Sequence, residues 1–498
     1  MCDAKSAGEE STVRFTKMAR CRFPLKILER SDLDKIHSTS LRILEEVGVK
    51  FDDDRTLRFL EENSCEVDHT KGIVKMREDL VDHCIKKVPR SFGLYSRKLG
   101  EMRVGEGDFY FVSIVDNSYM LDSETGQRRP GNLADIVDIA RLMNELEFHH
   151  ICCPGVIPHD AAPGLRVLHG AAEVLRNTEK HCIACPTTGL EARYFVRLGS
   201  ALCGSEQDLR RRPIISTTIA PSSPLRFPRG TCDLTWEFAL RRLPFVIVQA
   251  PIAGATSPVT IAGTMSLANA ESLAGIVLSQ LINGGAPVVY GGAISSLDMR
   301  HGVPSYGAVE YGLFSIATAQ LGRFYDIPSY GAGGATNANL SDAQCGYEKM
   351  SSSMLCYLAG HDMMCDAGLN ANGLTSLDSI VIQDEIMAML ARAGGSFEIN
   401  EKTLAFDVVN KVGIGGDYLS AKHTRDNFKS DFYYTDLGSR ISYEGWLSRG
   451  GSDLARAALE RAKRALETHK PAPLTAEENE KVNDILRRAG QEISASPT

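Results

Sequence analysis

Seven times between residues 149 and 368 the chain repeats one unit. A short apolar run begins near Pro, His or Asp, ends in Gly, Pro, Ser or Asn, and gives way to a helical stretch of a dozen or more residues. The runs occupy 149–154, 181–186, 213–221, 244–251, 287–293, 328–334 and 362–368. Strands that are apolar throughout are covered on both faces, and strands that alternate with helices pair in parallel. Seven or eight such units over roughly 250–300 residues predict an α/β fold, a closed (β/α)8 barrel of TIM type. An eighth strand is expected from 109–121 or from the region after Ile399. The architectural alternative is an open doubly wound sheet, which would carry a Gly-rich phosphate turn after its first strand. Neither GxGxxG in that setting nor GxxxxGK(S/T) is present.

The flanks divide the chain into 1–107, an N-terminal arm with a helix/hairpin module; 108–450, the barrel; and 451–498, C-terminal helices and a tail. In the first part Leu41, Leu44 and Val47 share a helical face that Gly48 terminates, 66–76 reads as a β hairpin, and 77–87 is a helix stopped by Pro89. In the last, 456–468 is a charged helix, 470–473 a linker and 476–490 a polar helix before a disordered tail. With 43% hydrophobic and 24% charged residues the chain can bury a sizeable core. Its net charge of −8 gives no global positive field for nucleic acid or anionic lipid. Thirteen cysteines, an odd number in so long a chain, read as reduced thiols of a cytoplasmic protein. The first fifteen residues contain no signal-peptide core, and the longest apolar region, 274–293, is too interrupted by polar residues and glycine pairs to span a membrane. The expected partners are therefore small molecules or proteins, with a homo-oligomer allowed.

On a β/α barrel the loops that follow the strands form the working face. After the sixth run, Gly331, Gly333 and Gly334 permit a sharp turn or close approach to a ligand. Ser341 and Gln344 form a capping-box pair for the next helix, which leaves 336–340 exposed and places Asn337 and Asn339 to bond a ligand. Asn suits turns equally well. After the seventh run the same NxN pattern recurs at Asn370 and Asn372, with Asp366 at the strand tip to hold a cation or to cap. The fifth run and its loop carry Tyr290, Tyr306 and Glu310. Aromatic faces beside carboxylates suit a quaternary ammonium, which has no N–H to donate, at roughly 0.5–2 kcal/mol per ring; core packing is the ordinary alternative for each Tyr. Metal signals are weak. Cys182 and Cys185 form a lone CxxC in a strand, Cys152 and Cys153 point to opposite sides of theirs, and there is no HExxH. His423 reads as a surface helix residue, no GxSxG elbow occurs, and no metal site is expected.

These motifs carry a family likeness. ILEEVGVKFDD, GIVKM and KKVPRSFGLYSRK resemble the N-terminal module of the trimethylamine methyltransferase-like family. LDSETGQRRPGNLADIVDIARLMN resembles its approach to the barrel, and VEYGLFSIATAQLGRFYDIPSYGAGGATNANLSDAQCGYEKM its most diagnostic stretch. The likeness spans 31–466 and implies a (β/α)8 barrel that passes a methyl group from a methylated amine to the cobalt of a separate corrinoid (cobalamin-type) protein. Founding members carry pyrrolysine in the loop after the sixth run, whereas this chain has ordinary residues throughout 333–340. Members without pyrrolysine are associated with quaternary amines such as glycine betaine or carnitine, whose nitrogen leaves as a neutral amine without an electrophilic side chain.

The resemblance thus implies in-line displacement at an N-methyl carbon, with no general base and no tightly bound cofactor, since the chain lacks the DxHxxG cobalt-ligand motif. Asn337, Asn339 and Glu310 are the candidates nearest the reaction. Tyr290, Tyr306 and Tyr330 are candidate cage walls, Asp366 a longer-range charge partner, and Asn370 and Asn372 further substrate contacts. The alternatives are a zinc-dependent thiol methyltransferase on the same barrel and a non-catalytic quaternary-amine binding protein.

Overall fold

A computed structural model describes residues 16–395 and 397–495. The first fifteen residues, over which the signal-peptide reading was made, and the last three of the expected tail lie outside them. Eight parallel strands form the centre: β1 (Asp108–Ile114), β2 (Ile151–Cys152), β3 (His181–Ala184), β4 (Ile215–Ile219), β5 (Phe245–Gln249), β6 (Val288–Gly292), β7 (Ser329–Gly333) and β8 (Met363–Asp366). Each pairs with the next, and β8 pairs with β1, Met363 opposite Tyr110, so the sheet closes on itself. The missing strand is therefore supplied by the 109–121 region and not by the chain after Ile399. The 328–334 run becomes β7.

A helix follows each strand, the first seven returning the chain to the next: α1 (Leu133–Glu145), α2 (Arg166–Asn177), α3 (Gly189–Cys203), α4 (Arg229–Arg241), α5 (Ile261–Ile282), α6 (Val309–Tyr325), α7 (Ala343–Leu358) and α8 (Leu377–Gly394). α5 is long and apolar enough to cross a membrane, yet 83% of its most apolar window is buried between the strands and the N-terminal helix Arg30–Arg42.

Because side chains alternate across a strand, each strand feeds two cores. Tyr110, Val112, Ile183, Val246, Val248, Val289 and Met363 point inward and fill the lumen. Phe109, Phe111, Phe245, Ile247, Val288, Tyr290 and Met364 point outward against the helices. A hairpin, Phe92–Tyr95 with Glu101–Val104, plants Phe92, Leu94, Met102 and Val104 in the inner cluster beside Tyr110. The lumen is a packed core.

The N-terminal module contains the expected hairpin, Glu66–Asp68 with Ile73–Lys75, and the helix Glu78–Ile85. Its first helix ends in a π turn, Ile43–Val47; the wider turn keeps Leu41 and Leu44 buried but rotates Val47 to 58% exposure, off the face it was expected to share. Residues 397–450, counted with the barrel in sequence, instead form a surface appendage of short helices in which no residue is buried. His423 lies there, in the surface helix Lys422–Asp431. The C-terminal helices are Leu454–Thr468 and Ala476–Ala495, the latter extending beyond its expected end at 490.

Candidate active site at the mouth of the barrel

The inward phase of the strands determines what the open end of the lumen presents. Cys153 follows β2, Val248 ends the inward row of β5, Tyr330 and Ala332 come from β7, and Cys365 from β8; Cys185, after β3, lies near enough to feel the Asp116 and Cys365 charges. Above them lie Val115, Ala293 and Tyr306, partly buried against the same cluster. The Tyr306 ring stands edge-on to Tyr311, centroids 5.1 Å apart at 85°, and the Tyr330 hydroxyl hydrogen-bonds the Cys365 sulfur. One carboxylate joins this lining. Asp116, in the loop after β1, accepts a 3.0 Å hydrogen bond on Oδ1 from the Gly155 N–H. Burial raises its pKa to about 7 against that hydrogen bond.

Burial, with the Asp116 charge as the next cause, raises the Cys153 thiol well above its ordinary value and pushes Cys185 up to about 12. Burial also takes Cys365 up to about 12, against the Tyr330 hydrogen bond. These thiols are neutral, and a neutral thiol is a poor nucleophile. Among the described residues no group of three His, Cys, Asp or Glu is arranged to hold a metal. Cys182 packs outward, so the CxxC pair does not converge.

The loop after β7 is bound along its length. The Gly334 and Ala335 N–H groups donate to Ser353 Oγ and Ser352 Oγ at 3.0 Å. Glu348 of α7 accepts from Thr336 Oγ1 at 2.6 Å and from the Asn337 N–H at 2.8 Å. Both ends of the Asn337 amide are then used on the loop after β6: Nδ2 donates to the Pro304 carbonyl and Oδ1 accepts from the Gly307 N–H, each at 2.8 Å. Asn337 thereby positions the loop that carries Tyr306.

The glycines here serve the protein and not a ligand. Gly334 has φ +55°, and a Cβ on it would sit 2.9 Å from Asp366 Oδ1; one on Gly333 would meet Met364 Sδ at 2.3 Å. The helix that follows is capped by Asp342, whose side chain accepts from the Cys345 N–H, one residue beyond the expected Ser341 and Gln344 pair.

The other expected site residues divide. Tyr306 and Tyr330 line the mouth, but Tyr290 faces the helices, fully buried, and donates to Asn269 Oδ1 at 2.8 Å. Asp366 also faces outward, where Lys349 neutralises it, and is no charge partner for a ligand. Asn339 and Glu310 are exposed, Glu310 in the first turn of α6, where a carboxylate suits the positive end of the helix dipole. Asn370 and Asn372 sit in a left-handed turn with φ +49° and +67°, so turn geometry explains both. The two NxN loops do meet: the Asn370 and Ala371 N–H groups donate to the Ala338 and Thr336 carbonyls at 2.9 Å. Sequence reading missed Asp116, Tyr311, Cys153, Cys185, Cys365 and Glu348. The opposed facing of Cys152 and Cys153 already held the signal for one of them.

Residues 3–494 match the family profile described as trimethylamine methyltransferase (MTTB). The chain belongs to this family. Trimethylamine methyltransferase MttB of Desulfitobacterium hafniense is 30% identical over 477 residues, covering 94% of each chain. Glycine betaine methyltransferase of Desulfitobacterium hafniense strain Y51 is 31% identical over 472 residues, covering 94% of this chain and 98% of its own. The monomethylamine methyltransferase MtmB of Methanosarcina barkeri aligns over 93% of each chain at 12% identity with a TM-score of 0.45. As a family member the chain is a methyltransferase of the methylamine type.

Proposed function

We propose that this methyltransferase demethylates a quaternary amine of the glycine betaine class and passes the methyl to a separate corrinoid protein in the cytoplasm. The observation that carries the reading is the mouth itself: Tyr306, Tyr311 and Tyr330 with neutral thiols around one carboxylate, Asp116, that no protein cation pairs among the described residues. Ring faces and an unmatched negative charge suit a permanent cation with no N–H to donate.

The corrinoid supplies the nucleophilic Co(I) that takes the methyl. The lumen is filled by its own side chains, so the partner approaches from outside, over the open end. The chain's residues orient: Tyr306 and Tyr330 hold the methyl groups, Asn337 keeps the Tyr306 loop in place, and the buried walls exclude water. Good alignment of reacting atoms is worth about 7–11 kcal/mol. No residue needs to move a proton, because the amine leaves neutral.

The appendage supports self-association. Phe406, Ile414 and Leu419 are among its exposed apolar side chains, and it has no core of its own. Contact with a second copy of the chain would cover them.

The test is a panel of glycine betaine, proline betaine, carnitine, choline and trimethylamine with enzyme and reduced corrinoid, read by the cobalt spectrum. At least one quaternary amine should be consumed and trimethylamine should be inert. Trimethylamine turnover at a comparable rate overturns the reading. One zinc per chain by elemental analysis would favour the thiol methyltransferase instead.

A further inference from the structure

Most of the buried aspartates near the barrel strands have a cation, and the partly buried Asp116 can be set beside them. Lys349 pairs with Asp366 at 2.6 Å and Arg20 with Asp362 at 2.7 Å, and Arg461 lies 3.8 Å from Asp384. Asp116 differs. Among the described residues no Lys, Arg or His comes within 4.0 Å of it, and its one hydrogen bond is the Gly155 N–H to Oδ1. The titratable groups that its charge reaches are all thiols: Cys153 after β2, Cys185 after β3 and the outward-packed Cys182.

Its backbone is held firmly. Asn117 Nδ2 donates to the Leu374 carbonyl and to Thr375 Oγ1, and Thr375 Oγ1 donates to the Gly155 carbonyl. One bridge from the loop after β8 therefore fixes both Asp116 and its only donor. We infer that Asp116 is the counter-charge for the substrate's quaternary nitrogen and selects permanent cations over neutral amines. This rests on the function proposed above.

Two consequences follow from the chemistry. A cation brought beside the carboxylate in a place of low dielectric replaces the partner the protein omits. Without ligand the group titrates at about 7, so binding a cation near neutral pH expels a proton. Affinity is full above pH 7 and falls as pH drops through 7, by up to about tenfold per unit.

The experiment is calorimetric titration of the whole enzyme with tetramethylammonium chloride at pH 6, 7 and 8, at pH 7 in two buffers of different ionisation enthalpy. Asp116→Asn should weaken binding by about tenfold or more and abolish both pH dependence and proton release, with an unchanged melting temperature. Asp116→Glu should restore part of the affinity. Equal affinity in Asp116→Asn overturns the proposal and leaves the function standing. If that variant fails to fold, the wild-type data decide: pH-independent binding without proton release overturns the proposal. Failure of wild type to bind tetramethylammonium at pH 8, together with no quaternary amine being turned over, overturns the function beneath it.

Discussion

Lys349 and Asp366 meet with both side chains wholly out of water, Nζ 2.6 Å from Oδ1, and the same oxygen accepts from the Gly368 N–H. The second oxygen, Oδ2, has no hydrogen bond. Removing one partner strands a buried charge, which costs more than the pair contributes. Lys349→Met should lower stability by about 3–5 kcal/mol, and Lys349→Met with Asp366→Asn should recover most of it. Denaturant melts of both variants check this; strictly additive losses would refute it.

Asn337 and Asn339 look alike in sequence and differ in space. Asn337→Ala removes two hydrogen bonds that seat the Tyr306 loop and should slow single-turnover demethylation about ten- to a hundredfold with the fold retained. Asn339→Ala, at an exposed position, should react at the wild-type rate. Equal rates in both would detach the loop from catalysis.

The tyrosines give a second contrast. Tyr290→Phe deletes a buried hydrogen bond to Asn269 and should cost about 1–3 kcal/mol of stability with kcat unchanged. Tyr306→Ala should raise KM for the best quaternary amine with little change in melting temperature. A kcat loss in Tyr290→Phe would place it in the site after all.

Buried histidines, His149, His150, His181 and His361, set the acid limit. Burial pushes His181 down to about 4 and His361 to about 3, each with both ring nitrogens hydrogen-bonded. Unfolded histidine titrates near 6.5. Their stability is full above pH 6.5 and is lost as pH falls toward 4, because only the unfolded chain takes up the protons; at pH 4.5 each costs about 2–3 kcal/mol. His361→Gln should therefore be less stable than wild type at pH 7 and close much of that gap at pH 4.5. A gap independent of pH would contradict the assignment.

The strands were legible because both faces are buried, which leaves continuous apolar runs. That same property hides which face is which. Tyr290 and Tyr330 sit in similar strand contexts, yet one points to the helices and the other to the lumen, because no polar alternation marks the phase. Asp366 was misassigned for the same reason, and its partner Lys349 lies on the preceding helix, α7, with no local signal linking them. Asp116 stands at the end of the one strand whose place in the barrel the sequence left open. The π turn at Ile43–Val47 shows a smaller failure, since a helical wheel assumes a constant turn.

Closure of the barrel has a consequence for how the chain is made. One edge of β1 pairs with β2, but the other finds its barrel partner only in β8, roughly 250 residues later, and synthesis at about 5–20 residues per second leaves it waiting for roughly 10–50 s. Through that interval an apolar strand edge is open to pairing with other chains. Met18–Ala19, already synthesised, pairs antiparallel with Asp108–Phe109 and can cover the start of that edge from the moment β1 emerges. The pairing persists in the finished barrel, where Met18 is buried in the core and the Tyr357 hydroxyl donates to the Ala19 carbonyl.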